Sequence, residues 1–176
     1  MKSKKGLAVT YFGNGKGKTT SAIGLAVRAV GCGKQVRFIQ FIKGDWKSSE
    51  EKVFKKIGVN VEKMGLGFIG IKNDRISLED HKKASRKALD KALEYSKQSG
   101  AFLLVLDEIF GAVKAGFILE GEVCDLIEGR RPDLNIVLTG RPKYPNIIIL
   151  SDIVTEFKEV KHPFEKGILA KEGIDY

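Results

Sequence analysis

The sequence predicts an α/β domain in which a mostly parallel central sheet is flanked by helices, and two stretches support that prediction. In residues 6–31 an apolar, β-prone run is followed by a glycine-rich loop and then by a helical pattern. Residues 102–108 (FLLVLDE) form a continuous apolar run that ends in two carboxylates. Continuous rather than alternating hydrophobicity is typical of a parallel strand buried on both faces. We expect one domain over residues 1–176, since this length buries a sizeable core and no linker divides the chain.

Composition and charge limit the classes of protein that this chain can be. Hydrophobic residues make up 43% and charged residues 30% of the chain, as in ordinary soluble globular proteins. No apolar run approaches the ~20 residues of a membrane span, and the basic N-terminus runs straight into a strand, so we expect no membrane segment and no signal peptide. Cys32 and Cys124 lack metal-type spacing, which suits a reducing cytoplasm and two small packing residues. The net charge of +9 favours polyanionic partners, either nucleotides or nucleic acid.

The first loop, GNGKGKTT, predicts a phosphate-binding site. Its glycines, Gly13, Gly15 and Gly17, have no Cβ, so that consecutive backbone N–H groups can face phosphate oxygens. The following helix points its positive end at the same place. Lys18 adds a point charge for the phosphates, and the Thr19 hydroxyl is placed to ligate their Mg²⁺.

Phe12 is the one departure from the general P-loop pattern G-x-x-x-x-G-K-[ST], because it stands where the first glycine belongs. A lysine-rich turn between surface elements is the alternative interpretation. Strand, glycine loop and helix nevertheless follow one another as a P-loop requires, and Gly31 stands where the C-cap of that helix is expected. We therefore predict that the chain binds a nucleotide.

Between the loop and the second apolar run, the pattern predicts a strand, a short amphipathic helix and a brief strand, in residues 36–42, 48–57 and 59–63. Residues 64–74 alternate glycines with apolar side chains, which favours either an irregular surface loop or a mobile flap that offers apolar surface to a large ligand. A long helix is expected from Ser77, capped through Asp80, to Gly100. We interpret His81, in its first turn, as an exposed histidine.

The second apolar run resembles a Walker B strand, because Asp107 and Glu108 emerge at its C-terminal end. One carboxylate would hold Mg²⁺ and the other could act in catalysis or also ligate the ion, whereas the alternative is an acidic loop after a core strand. Arg141 follows a buried strand at 136–139 and is interpreted as a phosphate or ribose contact, or as the partner of a surface carboxylate. A helix is predicted at 121–129, conflicting helix and strand signals occur at 145–150, and an edge strand is predicted at 153–160.

Seven segments occur in an order that identifies a family resemblance: GNGKGKTT, QFIKG, LDE, LTGR, DIVTE, KH and the closing GIDY. Together they resemble the ATP:corrinoid adenosyltransferases of the CobA/CobO/BtuR type over nearly the whole chain. The resemblance implies a RecA-like P-loop sandwich and a homodimer. It implies that the 5′-deoxyadenosyl group of ATP is transferred to the Co(I) of a corrinoid, either cobalamin or cobyrinic acid a,c-diamide. Tripolyphosphate is released, and ATP lies reversed in the loop relative to ordinary NTPases.

The same resemblance implies roles for particular residues. Thr19 and Glu108 are the expected Mg²⁺ ligands, with Asp107 in support. Lys16 and Lys18 stabilise the leaving tripolyphosphate as its charge builds up. The nucleotide-binding set comprises Gly13, Asn14, Gly15, Lys16, Gly17, Lys18, Thr19, Thr20, Arg28 and Arg141. The catalytic set comprises Lys16, Lys18, Glu108 and Phe68.

The family uses aromatic residues of a flap, in the pattern Gly-Phe-x-Trp, to displace the lower axial ligand of the corrinoid. Here the pattern falls on GFIG, so Phe68 is retained and Gly70 replaces the tryptophan. Trp46 is the only tryptophan of the chain. The resemblance further implies a cytoplasmic enzyme of cobalamin biosynthesis or salvage, supplied with electrons by a reduced flavodoxin-like protein, that binds neither nucleic acid nor membranes.

Two other functions compete with the transferase. A RecA-like ATPase that acts on nucleic acid would suit the positive net charge and predicts hydrolysis stimulated by DNA or RNA. A non-catalytic protein that binds corrinoids and nucleotides would suit Gly70 and predicts binding of both ligands without turnover.

Overall fold

Six strands form a single sheet in the computed structural model, which describes residues 5–44, 49–67 and 75–175. The strands are β1 (Ala8–Phe12), β2 (Val36–Gln40), β3 (Asn60–Lys63), β4 (Leu103–Asp107), β5 (Asn135–Gly140) and β6 (Ile153–Glu156). Their order in the sheet is β3-β2-β4-β5-β1-β6, and every neighbouring pair is parallel. The predicted α/β class with a mostly parallel sheet is therefore confirmed.

Within the described residues, six helices connect the strands. They are α1 (Lys18–Gly31), α2 (Glu50–Ile57), α3 (Leu78–Lys97), α4 (Ile109–Lys114), α5 (Glu120–Gly129) and α6 (Pro145–Leu150), and a 3₁₀ turn (Pro163–Lys166) follows in the C-terminal segment. The short α4 directly after the Walker B carboxylates was not predicted. No helix in the described ranges is both long and apolar enough to cross a bilayer.

Strand β4 lies inside the sheet between β2 and β5, and all five of its residues are buried. Leu103 and Val105 pack in a cluster with apolar residues of α1 on one face. Leu104 and Leu106 pack with α3 and α5 on the other face. Since both faces are covered, residues 103–106 of the strand are apolar on both sides, and this is why the run is continuous rather than alternating up to Asp107 at the strand end.

Helix α1 extends one residue beyond its predicted end. Gly31 is helical, and Cys32 is the C-cap with φ of −91°. Cys32 is exposed at this helix end, so the prediction that it packs is wrong, whereas Cys124 lies partly buried against the core.

Helix α3 begins as predicted but ends early. The Ser77 hydroxyl accepts a hydrogen bond from the backbone N–H of Asp80 at 3.1 Å, which confirms the predicted cap. The helix ends at Lys97, so the prediction that Gly100 terminates it is wrong. Gly100 instead has φ of +107° in the loop that leads to β4.

His81 is buried, with 3% of its surface exposed, and the interpretation of an exposed histidine is wrong. Ser85 and Ala88 follow it by about one and two turns and are also buried. The helical period thus places His81 on the face of α3 that is turned away from solvent.

The conflicting signals at 145–150 resolve as a helix because Pro145 occupies a first-turn position, where its missing N–H costs nothing. The predicted strand at 153–160 is shorter, ends at Glu156, and lies at the edge beside β1 as expected.

An ion pair between α3 and α5 provides a test of pH-dependent stability. Arg86 Nη1 donates to both carboxylate oxygens of Glu122, at 2.6 and 2.7 Å. The hydrogen bond from Arg86 is the main cause that lowers the pKa of Glu122. A lowered folded-state pKa contributes stability above the unfolded-state pKa, and this stability is lost as pH falls through the folded-state pKa.

We expect Arg86→Met to lower the free energy of unfolding by about 0.2–1 kcal/mol at pH 7, a small value because solvent screens this partly exposed pair. The difference from wild type should shrink as pH falls below the unfolded-state pKa of a glutamate, about 4.3, and should vanish below the lower folded-state pKa. Urea denaturation of both proteins at pH 7 and at pH 3.5 measures it. An equal difference at both pH values would mean that Arg86 stabilises the protein through packing alone.

Candidate functional site

The carboxyl ends of the parallel strands meet at one edge of the sheet, where ligands bind in open α/β folds. A cavity of about 830 Å³ opens there. Its wall includes Asn14, Lys16, Lys18, Thr19, Thr20, Lys43, Glu50, Glu108, Arg141 and Asp175. The loops after β1, β2, β4 and β5 all contribute to it, so the structure brings the predicted P-loop and Walker B residues together.

Two glycines give the P-loop its shape. Gly13 and Gly17 have φ of +114° and +110°, a region that residues with a Cβ rarely adopt. A Cβ on Gly13 would stand 2.3 Å from the backbone oxygen of Phe157. The N–H of Gly15 donates to that same oxygen at 2.8 Å. The segment after β6 therefore packs directly on the loop, and this contact requires glycine.

Lys18 is held inside the loop. Its Nζ donates to the backbone oxygens of Gly13 at 2.7 Å and Gly15 at 2.8 Å, and only 7% of the residue is exposed. Burial lowers the pKa of the Lys18 ammonium, and Glu108 opposes this effect. The charge therefore lies at the centre of the loop, where phosphate oxygens are expected.

Asp107 is buried, with 1% of its surface exposed, and accepts three hydrogen bonds. Its Oδ1 accepts from Thr19 Oγ1 and from Thr139 Oγ1, each at 2.8 Å, and its Oδ2 accepts from Gln40 Nε2 at 3.3 Å. Burial raises the pKa of Asp107, and the hydrogen bonds from Thr19 and Thr139 act in the opposite direction. This carboxylate thus fixes the orientation of the Thr19 hydroxyl.

Glu108 adopts a left-handed conformation with φ of +59°, alone among the non-glycine residues that the structure describes. Its N–H donates to Thr139 Oγ1 at 2.8 Å, and its side chain lines the cavity. Burial raises the pKa of Glu108, Asp107 raises it further, and the nearby charge of Lys18 lowers it. Such conformations cost about 1–3 kcal/mol and cluster at functional sites, where the surrounding structure maintains them.

Thr139 connects the Asp107 carboxylate with the backbone of Glu108, since its hydroxyl donates to Asp107 Oδ1 and accepts from the backbone N–H of Glu108. We expect Thr139→Val, which keeps the shape but removes the hydroxyl, to lower the free energy of unfolding by about 1–3 kcal/mol, because buried polar groups lose their partner. Thermal unfolding of this variant measures the effect, with Thr139→Ser as the control that retains the hydroxyl. If the serine variant lost as much stability as the valine variant, the methyl group rather than the hydroxyl would be responsible.

The other predicted site residues form three groups: residues that line the cavity, one residue that does not line it, and one that falls outside the described residues. Asn14, Lys16 and Thr20 line the cavity, and Lys16 forms an ion pair with Asp175 near the C-terminus. Arg141 also lines it, and its backbone oxygen accepts from the Gly13 N–H at 3.0 Å.

The structure does not bring Arg28 to the cavity as the described residues form it. Arg28 lies ten residues after Lys18 on α1, about 15 Å along the axis at 1.5 Å per residue, so the helix carries it away from the loop. Phe68, with Gly70 and Trp46, falls outside the described residues.

The sequence did not indicate that two further parts of the chain form the wall of the cavity. One is Lys43 with Glu50, from the loop after β2 and the start of α2. The other is the C-terminal segment, which contributes His162, Phe164, Ile174 and Asp175. The segments QFIKG, KH and GIDY contain most of these residues, but a sequence segment alone does not reveal what its side chains face.

The chain matches known proteins over almost its full length. Residues 4–176 match the family model described as ATP:corrinoid adenosyltransferase BtuR/CobO/CobP. The chain is 36% identical to the corrinoid adenosyltransferase of Escherichia coli strain K12, covering 98% of this chain and 87% of that one. It is 35% identical to the corrinoid adenosyltransferase CobA of Salmonella typhimurium, again over 98% and 87% of the two chains.

Among solved structures, the RadB recombinase is similar, with a TM-score of 0.51 and 14% identity over 90% of this chain and 77% of that one. At this identity the likeness concerns the fold alone, and it confirms the predicted RecA-like P-loop architecture.

Proposed function

The chain belongs to the family of ATP:corrinoid adenosyltransferases, and on this basis we propose that it transfers the 5′-deoxyadenosyl group of ATP to the Co(I) of a corrinoid and releases tripolyphosphate. One observation supports the chemistry: the P-loop lysine and threonine share a cavity with a carboxylate at the end of the central strand. The corrinoid is cobalamin or cobyrinic acid a,c-diamide, and the reaction serves cobalamin biosynthesis or salvage.

The reaction requires no nucleophile from the protein. The Co(I) of the substrate supplies the electron pair of the new cobalt–carbon bond and becomes Co(III). The bond between C5′ and the α-phosphate oxygen breaks, and its electron pair leaves with tripolyphosphate. The protein therefore has to orient the two substrates and to stabilise the charge that builds up on the leaving group.

The cations of the loop suit that task. The Lys18 ammonium is buried and held by the backbone oxygens of the loop, so its charge acts in a region of low dielectric. Because the side chain is already in place, it need not move as charge builds up on the leaving group. Lys16 lines the same cavity beside Asp175 and adds a second positive charge. Both lysines would bind the oxygens of the leaving tripolyphosphate.

The residues present also fit Mg²⁺, which prefers oxygen ligands and keeps several from phosphates and water. The Thr19 hydroxyl and the Glu108 carboxylate would hold the ion, and Asp107 would support it through its hydrogen bond with Thr19. Among the described residues no group of three or more His, Cys, Asp or Glu side chains is placed to hold a metal by itself, so the phosphates would complete the site. When bound, Mg²⁺ would neutralise part of the negative charge on the leaving phosphates.

We propose that the enzyme acts as a cytoplasmic homodimer, that a reduced flavodoxin-like protein supplies the electrons for Co(I), and that Phe68 acts in displacing the lower axial ligand of the corrinoid. The proposal includes no nucleic-acid or membrane partner.

An anaerobic reaction tests the transferase directly. The protein is mixed with Mg-ATP and chemically reduced Co(I) cobalamin, and the spectrum is followed for a light-sensitive cobalt–carbon product while tripolyphosphate is assayed. We expect both products from the wild type and neither from Lys18→Ala or Glu108→Ala. Binding of both ligands without product, for cobalamin and for a shorter corrinoid, would instead favour a carrier, and hydrolysis stimulated by DNA would favour the ATPase.

A further inference from the structure

A lysine outside the P-loop stands in the wall of the same cavity. Lys43 follows strand β2, and its Nζ lies 3.0 Å from Oε1 of Glu50 at the start of helix α2. The two side chains are 28% and 20% exposed, and both residues line the cavity with Lys18 and Glu108. The ion pair therefore faces the ligand space of the protein.

The charge of Lys43 acts on the two carboxylates at the end of β4. Burial raises the pKa of Asp107 and of Glu108, and the charge of Lys43 is one of the smaller effects that oppose this rise. Lys43 lines the same cavity as Thr19 and Glu108, in the region where Mg²⁺ and phosphates are proposed to bind. No general feature of the P-loop or Walker B motifs accounts for a cation at this position.

Glu50 is a partner that a polyphosphate can replace. A partly exposed pair of one ammonium and one carboxylate contributes little, about 0–1 kcal/mol, because solvent screens it. A phosphate chain with Mg²⁺ offers several anionic oxygens and stronger charge-assisted hydrogen bonds. An ammonium on a flexible four-carbon stem can change partners without movement of the backbone.

We propose that Lys43 binds an anionic oxygen of the polyphosphate, and that Glu50 is the resident partner which the phosphate displaces. This inference rests on the proposed function, because tripolyphosphate is the product that the site would hold. Lys43 then adds a third lysine to the phosphate site, from a loop 25 residues after Lys18 in the sequence.

A second lysine–glutamate pair provides the matched control. Lys63 of β3 pairs with Glu51, the residue after Glu50 on α2, and the side chains are 22% and 35% exposed. This pair joins the same helix to the sheet, yet neither residue lines the cavity that the described residues form. Lys63→Met and Glu51→Gln therefore report what such a pair contributes to structure alone.

The experiment measures calorimetric binding of inorganic tripolyphosphate with Mg²⁺ to the 176-residue protein. We expect Lys43→Met, which retains the apolar stem, to weaken binding by about 10-fold, the loss of one charge-assisted hydrogen bond. We expect Glu50→Gln to tighten binding by about 2-fold to 5-fold, since the competing carboxylate is gone. Lys63→Met and Glu51→Gln should bind as the wild type does.

Opposite changes at the two ends of one pair distinguish ligand binding from a structural role. Equal weakening by Lys43→Met and Glu50→Gln, or wild-type affinity in Lys43→Met, would overturn the proposal. In either case a wild type that binds tripolyphosphate and forms the adenosylated product leaves the transferase intact. A wild type that binds tripolyphosphate but forms no product would instead refute the transferase and leave the role of Lys43 standing.

Discussion

Replacement of Lys18 by methionine is expected to lower kcat/KM for adenosylation by about 10²–10³-fold, as removal of one preorganised electrostatic group at a reacting centre does. The methionine keeps the apolar stem of a side chain that is 7% exposed, and it removes the ammonium that donates to Gly13 and Gly15. The leaving tripolyphosphate then loses its most buried cation. Anaerobic steady-state kinetics with Mg-ATP and Co(I) cobalamin measures the change.

The loop carbonyls also lose their donor, so a structural effect has to be separated from a chemical one. A structural effect would lower the melting temperature and reduce the affinity for ATP and the rate together. Loss of leaving-group stabilisation would lower kcat while the melting temperature changes little. A Lys18→Met enzyme with wild-type kcat would show that this ammonium does not act on the leaving group.

Gly13→Ala is expected to lower the free energy of unfolding by about 3 kcal/mol or more, combining the backbone conformation with a steric overlap. The left-handed conformation, with φ of +114°, disfavours any residue with a side chain. The new Cβ would also stand 2.3 Å from the backbone oxygen of Phe157, which is fixed in the chain that leaves β6. Chemical denaturation measures the loss, and nucleotide binding should disappear with it.

Gly116→Ala separates the two causes. Gly116 has φ of +72°, and a Cβ built there meets no atom within 4 Å, so this variant bears only the cost of the conformation. We expect it to lose about 1 kcal/mol. If Gly13→Ala lost no more than Gly116→Ala, the packing of the C-terminal segment on the P-loop would contribute nothing to stability.

The parts of the fold that sequence predicts well are those set by neighbouring residues. The strand, glycine loop and helix around Lys18 follow from turn chemistry and from a change of hydrophobic period within about 25 residues. The cap at Ser77 is a local hydrogen bond of the same kind. The continuous apolar run before Asp107 predicts a buried strand because a strand covered on both faces favours apolar residues on both of its sides.

The parts that sequence predicts poorly depend on contacts between distant residues. Phe157 packs on the loop at Gly13 and Gly15, and Asp175 pairs with Lys16, but neither contact has a local signal. The burial of His81 depends on which face of α3 meets the core. Arg28 does not line the cavity that the described residues form, since a straight helix carries it away from the loop at which the helix begins.

The strand order has a consequence for how the protein becomes active during its synthesis. Strand β1, which leads into the P-loop, lies between β5 and β6, the last two strands to be made. Leu7, just before β1, donates its backbone N–H to Oδ1 of Asn135 in β5, and these two residues are 128 positions apart in the sequence. A nascent chain therefore has a P-loop sequence long before it has a place for β1 in the sheet. Because such long loops must close before the contact forms, nucleotide binding should arise late, in one step with completion of the sheet.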